Sequence, residues 1–171
     1  MSIRPIIKYG DPVLHGPAEP VRTIDDPIRT LLGDMVDTMY AAPGIGLAAP
    51  QVGVALRVIV IDLSVGEDPS QLIQLVNPEV VAHEGEQREE EGCLSVPGYA
   101  GSPTRPVRIE VKGLTPDGTE RTHSATDLLA RAFCHEMDHI DGLLFVDRLS
   151  PLKRDLMKRR LRKRAREGWE T

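Results

Sequence analysis

The sequence is poor in cysteine and in aromatic residues. Two of its 171 residues are cysteine, Cys93 and Cys134, and phenylalanine, tyrosine and tryptophan together make up 4%. Two cysteines are too few for a disulfide scaffold, which leaves metal binding, catalysis and core packing open for them. So few aromatic rings argue against a surface that binds single-stranded nucleic acid by base stacking.

The sequence also lacks long apolar runs. No stretch approaches the roughly 18 consecutive apolar residues that span a bilayer. The first twenty residues contain no apolar core of a signal peptide, because prolines and Gly10 interrupt them. We therefore expect a cytoplasmic protein without a membrane partner.

The overall composition is that of one ordinary globular domain. The chain has 40% hydrophobic and 27% charged residues and a mean hydropathy of -0.23. A chain of this length buries roughly 70% of the surface that its unfolded state exposes. This composition excludes the disordered and fibrous classes.

The net charge of -5 is unevenly distributed along the chain. Nine of the 21 lysine and arginine residues lie between Lys153 and Arg166, and three acidic residues follow position 152. The segment 153–171 therefore carries +6 and the preceding chain carries -11. A basic arm on an acidic body indicates a polyanionic partner at one end of the molecule.

The spacing of apolar residues predicts helices near both ends and strands between them. Asp25 or Asp26 begins a first helix, in which apolar residues recur with helical spacing as far as Met39. A second helix is predicted from about Ser124 to Ile140, and a third begins at Pro151 with Ser150 as its cap. Strands are predicted at 57–62, 72–77, 79–83 and 107–112, with Pro78 separating the second from the third.

The strongest chemical signal lies on the second helix, where residues 135–139 read His-Glu-Met-Asp-His. Histidines at positions i and i+4 lie one turn apart on the same helix face, so His135 and His139 are placed to bind one metal ion. Glu136 is rotated away from that face and is placed to reach a water molecule at the metal. A chance occurrence of this pattern is expected about 0.01 times in such a chain.

This order of elements predicts an α+β fold, with antiparallel or mixed β-sheets around the central helix that bears the motif. We divide the chain into a single catalytic domain, residues 1–150, and a C-terminal basic helix and tail, residues 151–171, packed on the same domain. Leu152, Leu156 and Leu161 form a thin apolar stripe with which the C-terminal helix would dock.

A catalytic metal site needs a third protein ligand, which the spacing does not decide. Asp147 is a candidate after the motif. Cys134 is turned about 100° away from the face of His135. Cys93 follows Gly92, which frees the backbone to approach a metal, but Cys93 also fits a small buried core residue.

A third segment, GIGLAAPQ at residues 44–51, combines glycines with small residues. Such a backbone can run close to a ligand or to another strand, and Gln51 could donate a hydrogen bond to a developing oxyanion. The same glycine- and alanine-rich composition is also typical of a short connection between a helix and a strand, without any contact to a ligand.

Taken together, GIGLAAPQ, EGCLS at residues 91–95 and HEMDH resemble the peptide deformylases, which remove the formyl group from nascent N-formylmethionyl chains. The resemblance extends over nearly the whole chain and includes YGDPVL at 9–14 and LSPLKR at 149–154. It implies hydrolysis by a metal-activated water with release of formate, and N-formylmethionyl nascent peptides as the substrate.

The resemblance also implies a role for each matching residue. Cys93, His135 and His139 would hold one divalent metal ion, Fe(II) in the first place, with Zn, Ni or Co as substitutes. Glu136 would act as general base and then as general acid. The residues implied to face the oxyanion are Gln51 and the backbone N–H of Leu94; Ile45 and Gly46 would line the substrate cleft, and Leu128, Arg131 and Ala132 the methionine pocket.

Two positions depart from the family pattern, and two further features stay open. Cys134 stands where the family usually has glutamine, and Ile140 where it usually has leucine. Glu91 and Arg105 form a candidate pair that orients the loop of Cys93, although Glu91 also fits a solvated acidic run. The basic C-terminal helix suits contact with ribosomal RNA phosphates, or serves as a solubilising tail.

Two other functions share part of this pattern. A zinc endopeptidase would use the same HExxH motif. A non-catalytic metal-binding module that associates with RNA or the ribosome would explain the basic helix. The second alternative leaves the glutamate between the histidines without a role, and a substitution of Glu136 separates it from an enzyme.

Overall fold

A computed structural model describes residues 2–169. It confirms an α+β fold. The helices are α1 (Asp26–Ala41), α2 (Asp127–Ile140) and α3 (Pro151–Glu167), and the strands are β1 (Gly46–Ala48), β2 (Val58–Ile61), β3 (Ile73–Glu84), β4 (Gln87–Arg88), β5 (Glu91–Gly92), β6 (Ala100–Gly101), β7 (Thr104–Arg105), β8 (Arg108–Leu114) and β9 (Glu120–Thr126).

The main sheet has five strands in the order β1-β2-β3-β8-β9. All of its neighbouring strands run antiparallel, and β4 with β7 and β5 with β6 form two small antiparallel ribbons. The ribbons lie in the chain between β3 and β8, and they carry the segment around Cys93.

The sheet is covered by a helix on each face, which explains the apolar run of β2. Val58 and Val60 pack with α1, and Ile59 and Ile61 pack with α2. Since successive side chains of a strand point to opposite faces, a strand that is covered twice is apolar throughout. Helix α2 thus packs against one face of the sheet.

Helix α1 begins as the sequence predicts. The carboxylate of Asp25 accepts a hydrogen bond from the Ile28 N–H at 3.1 Å, and Pro27 stands in the first turn. Of the two candidate caps, Asp25 is therefore the one used.

The predicted break at Pro78 is wrong, because β3 continues through it. The pairing of β3 with β8 shifts register between Val76 and Glu79, which is where the proline lacks an N–H to donate. Asn77 takes a left-handed conformation (φ 53°), and its side chain pairs with the Val21 N–H and carbonyl at 2.8 Å each. The strand accommodates the proline as a bulge.

Helix α2 begins at Asp127, three residues after the predicted start. Ser124 belongs to β9 and pairs with Glu110 of β8. The Asp127 N–H donates to the Val107 carbonyl at 2.9 Å, so the sheet holds the chain extended up to the first helical residue.

The predicted apolar stripe of α3 is correct at one position. Leu161 is fully buried and packs with Met157, whereas Leu152 is 71% exposed and Leu156 47% exposed. Ser150 precedes the helix, but its side chain makes no capping hydrogen bond. Positions 170 and 171 of the predicted tail lie outside the described residues. Within residues 2–169, no helix has the length and apolar character needed to cross a membrane.

Candidate metal centre and active site

Three side chains that the sequence singles out as candidate ligands come together. His135 and His139 lie one turn apart on α2, and their Nε2 atoms are 3.2 Å apart. Cys93, which follows β5, places its Sγ atom 3.3 Å from Nε2 of His139. The three ligand atoms lie within 4.8 Å of one another.

This arrangement fits one four-coordinate metal ion. Nitrogen ligands at about 2.1 Å and a sulfur ligand at about 2.3 Å stand about 3.4–3.6 Å apart at tetrahedral angles. A set of one thiolate and two imidazoles suits iron, zinc, cobalt and nickel, and three protein ligands leave one position open. His139 is fully buried, and burial holds its pKa well below the usual value, which favours the neutral imidazole that binds metals.

Two N–H groups donate hydrogen bonds to the sulfur of Cys93. The Ser95 N–H donates to it at 3.4 Å, and the side-chain amide of Gln51 donates at 3.6 Å. These two contacts hold the sulfur on the side that faces the two histidines.

Glu136 is a buried carboxylate beside the three candidate ligands. It is 4% exposed, and its Oε1 atom has no hydrogen-bond partner among the described residues. Burial raises the pKa of Glu136 to about 7, against the opposing effect of His135. A carboxyl group with a pKa near neutrality is suited to proton transfer.

Gly46 of β1 makes room for Glu136. A Cβ atom built on Gly46 would lie 2.4 Å from Oε2 of Glu136, well inside van der Waals contact. The glycine at this position is therefore required by the close approach of the carboxylate to the strand.

Gln51 is 2% exposed and has defined hydrogen bonds on both sides of its amide group. Its Oε1 atom accepts from the Ala48 N–H at 3.0 Å, and Nε2 donates to Ser95 Oγ at 3.1 Å as well as to Cys93. These contacts fix the amide, so its Nε2–H is held beside the candidate metal ligands.

Outside this group, Glu91 and Arg105 form the predicted pair. Glu91 Oε1 lies 3.0 Å from Nδ1 of His135, and Arg105 donates to both carboxylate oxygens of Glu91 at 3.0 and 2.9 Å. Although burial opposes it, hydrogen bonds from His135 and Arg105 hold the pKa of Glu91 below its usual value. The neighbouring Glu89 and Glu90 are exposed, so Glu91 differs from the rest of the acidic run.

A cavity of about 440 Å³ opens beside the cluster. It is lined by Gln51, Cys93, Leu94, His135 and Glu136, and by every residue predicted to contact the substrate, namely Ile45, Gly46, Leu128, Arg131 and Ala132. The structure therefore brings all of the predicted site residues to one place, with His139 behind the cavity wall.

Comparison with known proteins identifies the family. The family model described as "Polypeptide deformylase" matches residues 3–155. A peptide deformylase of Acidobacterium capsulatum is 51% identical over 168 residues, which cover 98% of this chain and 99% of that protein.

The chain belongs to the polypeptide deformylase family.

Solved structures from this family agree with the fold. A peptide deformylase from Legionella pneumophila has a TM-score of 0.87 at 47% identity, covering 95% of each chain. A peptide deformylase from Ehrlichia chaffeensis in complex with actinonin has a TM-score of 0.85 at 38% identity, covering 95% of this chain and 98% of that one.

The remaining candidate ligands lie elsewhere. Asp147 accepts from the Leu144 N–H at 2.8 Å and pairs with Lys158 at 2.6 Å, so it is occupied outside the cluster. Cys134, on α2, packs against the core, and burial raises the pKa of its thiol to about 11. Among the described residues, Cys134 is not part of the group whose ligand atoms come together.

Sequence reasoning missed the side chains that hold others in place around the cavity. Gln87 accepts from Arg131 at 2.6 Å and donates to the carbonyls of Pro106 and Asp127. Asp138, inside the HExxH motif, pairs with Arg105 at 2.6 Å. The sequence offers one signal for Asp138, which is its position between the two candidate ligands His135 and His139 on a helix that packs against the core. A buried aspartate there needs a positively charged partner.

Proposed function

We propose that the protein hydrolyses the N-terminal formyl group of N-formylmethionine on newly synthesised polypeptides and releases formate. The observation that carries this proposal is the buried carboxylate of Glu136, which shares a cavity wall with Cys93 and His135. Membership of the deformylase family supports the same activity. A metal site that only stabilises the fold would not require a buried carboxylate whose Oε1 atom has no hydrogen-bond partner among the described residues.

Cys93, His135 and His139 would hold one divalent metal ion. We propose Fe(II) as this ion, with Zn, Ni or Co as substitutes. When bound, such an ion supplies Lewis-acid chemistry and lowers the pKa of water. Bound to such an ion, Cys93 would be a thiolate and both histidines would be neutral imidazoles, because metal ligands bind in their deprotonated forms.

Glu136 would carry the proton through the reaction. Its carboxylate accepts a proton from the attacking water and returns it to the amine nitrogen as the bond to the formyl carbon breaks. A pKa near 7 suits both steps, because neither form of the carboxyl group is strongly preferred.

Gln51 and Leu94 would stabilise the oxyanion that forms on the formyl oxygen. The Gln51 Nε2–H that points toward Cys93, at 3.6 Å, is the weaker of its two hydrogen bonds and is the one available for redirection to an oxyanion. The backbone N–H of Leu94, on the cavity wall, is the second proposed donor.

The cavity would select the formylated methionine. Ile45 and Gly46, at the start of the edge strand β1, would line the cleft for the peptide. The pocket for the methionine side chain would be formed by Leu128, by Ala132 and by the aliphatic part of Arg131. The hydrogen bond to Gln87 would hold the guanidinium group of Arg131 away from this pocket.

The test is hydrolysis of formyl-Met-Ala-Ser by protein prepared without oxygen and loaded with Fe(II) or Ni(II). An unformylated peptide with internal bonds is assayed in parallel. We expect formate release without internal cleavage, and we expect actinonin, which is bound in the structure of the Ehrlichia chaffeensis relative, to bind to this protein as well. Internal cleavage alone would identify an endopeptidase, and neither reaction with metal bound would contradict the proposal.

Replacement of Gln51 with alanine is expected to lower kcat by about 10²–10³-fold, as for loss of an oxyanion donor. Metal content is measured in the same samples, because Gln51 also contacts Cys93. Gln71→Ala, the same substitution at an exposed glutamine, is the matched control. A decrease in kcat of less than threefold would give Gln51 a structural role.

We also propose that the protein works on chains as they leave the ribosome in the cytoplasm, with α3 in contact with ribosomal RNA. The helix exposes Lys153, Arg159, Arg160, Arg162, Lys163 and Arg166, while Leu161 attaches it to the body. Neutral substitution of Arg159, Arg160, Arg162 and Lys163 is expected to weaken ribosome binding and flatten its salt dependence. Unchanged binding would discard this contact.

A further inference from the structure

We infer that Arg148 is a positioning residue for the metal site, acting on His135 through Asp138, Arg105 and Glu91. Arg148 ends the short helix Phe145–Arg148, after α2, and it does not line the active-site cavity. This inference rests on the metal-dependent function proposed above.

The first part of the path is the pair already described. Glu91 Oε1 is 3.0 Å from Nδ1 of His135, so it sets the orientation of that ring and directs Nε2 toward the other ligands. Arg105 holds Glu91 with two parallel hydrogen bonds, which fix the plane of the carboxylate.

The second part joins Arg105 to Arg148 through one aspartate. Asp138 Oδ2 accepts from Nη1 of Arg105 at 2.6 Å. Arg148 donates to both oxygens of the same carboxylate, at 2.9 Å to Oδ1 and at 3.4 Å to Oδ2. The guanidinium groups thus approach Asp138 from two sides.

Positive and negative side chains alternate along this path. Because most of them are buried, each charge needs a partner of opposite sign. The side chains of Arg105, Asp138 and Glu91 are 3%, 7% and 8% exposed, and that of Arg148 is 47% exposed. With Arg148 present, two guanidinium groups balance two carboxylates. Without it, Arg105 alone must balance both Asp138 and Glu91.

Loss of that balance would act on the metal site. A buried carboxylate that loses a partner is strongly disfavoured, so Arg105 would be drawn toward Asp138 and its fork on Glu91 would loosen. Glu91 would then hold His135 less firmly. Loss of a direct partner of a metal ligand costs about 10–100-fold in affinity or activity. For a residue further along the path, we expect about a 3–10-fold effect.

The position of Arg148 makes the inference testable without damage to the core. Its half-exposed side chain can be shortened without leaving a buried cavity. Arg154 is the matched control, because it is a nearby arginine whose ion pair, with Asp155 at 3.4 Å, is away from the path.

The experiment measures the rate at which zinc-loaded protein releases its metal to a chromophoric chelator. Arg148→Gln is expected to release zinc about 3–10-fold faster than the wild type, Arg148→Lys to recover part of the difference, and Arg154→Gln to match the wild type. The melting temperature of the metal-free proteins is recorded alongside, and we expect Arg148→Gln to remain within a few degrees of the wild type.

A second measurement asks whether Arg148 acts through Asp138. In an Asp138→Asn background, Arg148→Gln should add nothing to the release rate. The inference is overturned if Arg148→Gln releases zinc within twofold of the wild type, if Arg148→Lys restores nothing, or if the effect persists in full without Asp138. Failure of the wild type to bind zinc would instead contradict the proposed function.

Discussion

Replacement of Glu136 with glutamine is expected to lower kcat for formate release by about 10²–10⁴-fold, the contribution of a positioned proton-transfer group. Glutamine has nearly the same shape as glutamate, so the cavity and the three metal-binding side chains should stay in place. The amide cannot accept the proton of the attacking water. Formate release and bound metal are measured on the same preparation, with Glu89→Gln as the control at an exposed neighbour of Glu91.

Metal content decides how a loss of activity is interpreted. Stoichiometric metal with no turnover assigns proton transfer to Glu136. Loss of metal from the variant would refute that assignment and make Glu136 part of the metal site. Unchanged turnover would contradict the proposed mechanism as a whole.

Replacement of Gly46 with alanine is expected to lower kcat/KM by about 10²-fold, since a misplacement of about 1 Å at a reacting group costs this much. The new Cβ atom would lie 2.4 Å from Oε2 of Glu136, so either the carboxylate or strand β1 must move. Because Gly46 is paired with Ile61 in the sheet, we expect the carboxylate to move.

Gly16→Ala is the control for this substitution, because a Cβ atom on Gly16 meets no atom within 4 Å. Its formate release and melting temperature should match those of the wild type. The Gly46→Ala protein should retain its metal, since the three atoms nearest to the new Cβ atom all belong to Glu136. Full activity of Gly46→Ala would show that Glu136 works from a different position.

The elements predicted with most success are those specified by short stretches of sequence. Helix α1 follows from Asp25, Pro27 and apolar residues at helical spacing, and His135 and His139 share a face because they are four residues apart. The predictions that were wrong concern residues whose neighbours come from distant parts of the chain. Pro78 was expected to end a strand, but Asn77 is held by Val21, which lies far away in sequence.

The sequence by itself determined the fold class, the two histidines with Glu136 between them, and the small-residue segment that ends at Gln51. Tertiary structure brings Cys93, and not Asp147, to the two histidines, because the position of Cys93 depends on how the chain between β3 and β8 folds back on α2. Cys93 and His139 are 46 residues apart, and no local rule relates their positions.

The same reasoning applies to the charged residues around the site. Arg105, Asp138 and Arg148 are ordinary charged residues in the sequence, and their partners follow from burial together in a small volume. A buried charge must be paired, so packing selects which of the many acidic and basic residues meet. Local sequence therefore determined the chemistry that is available here, and the packed core determined which groups act together.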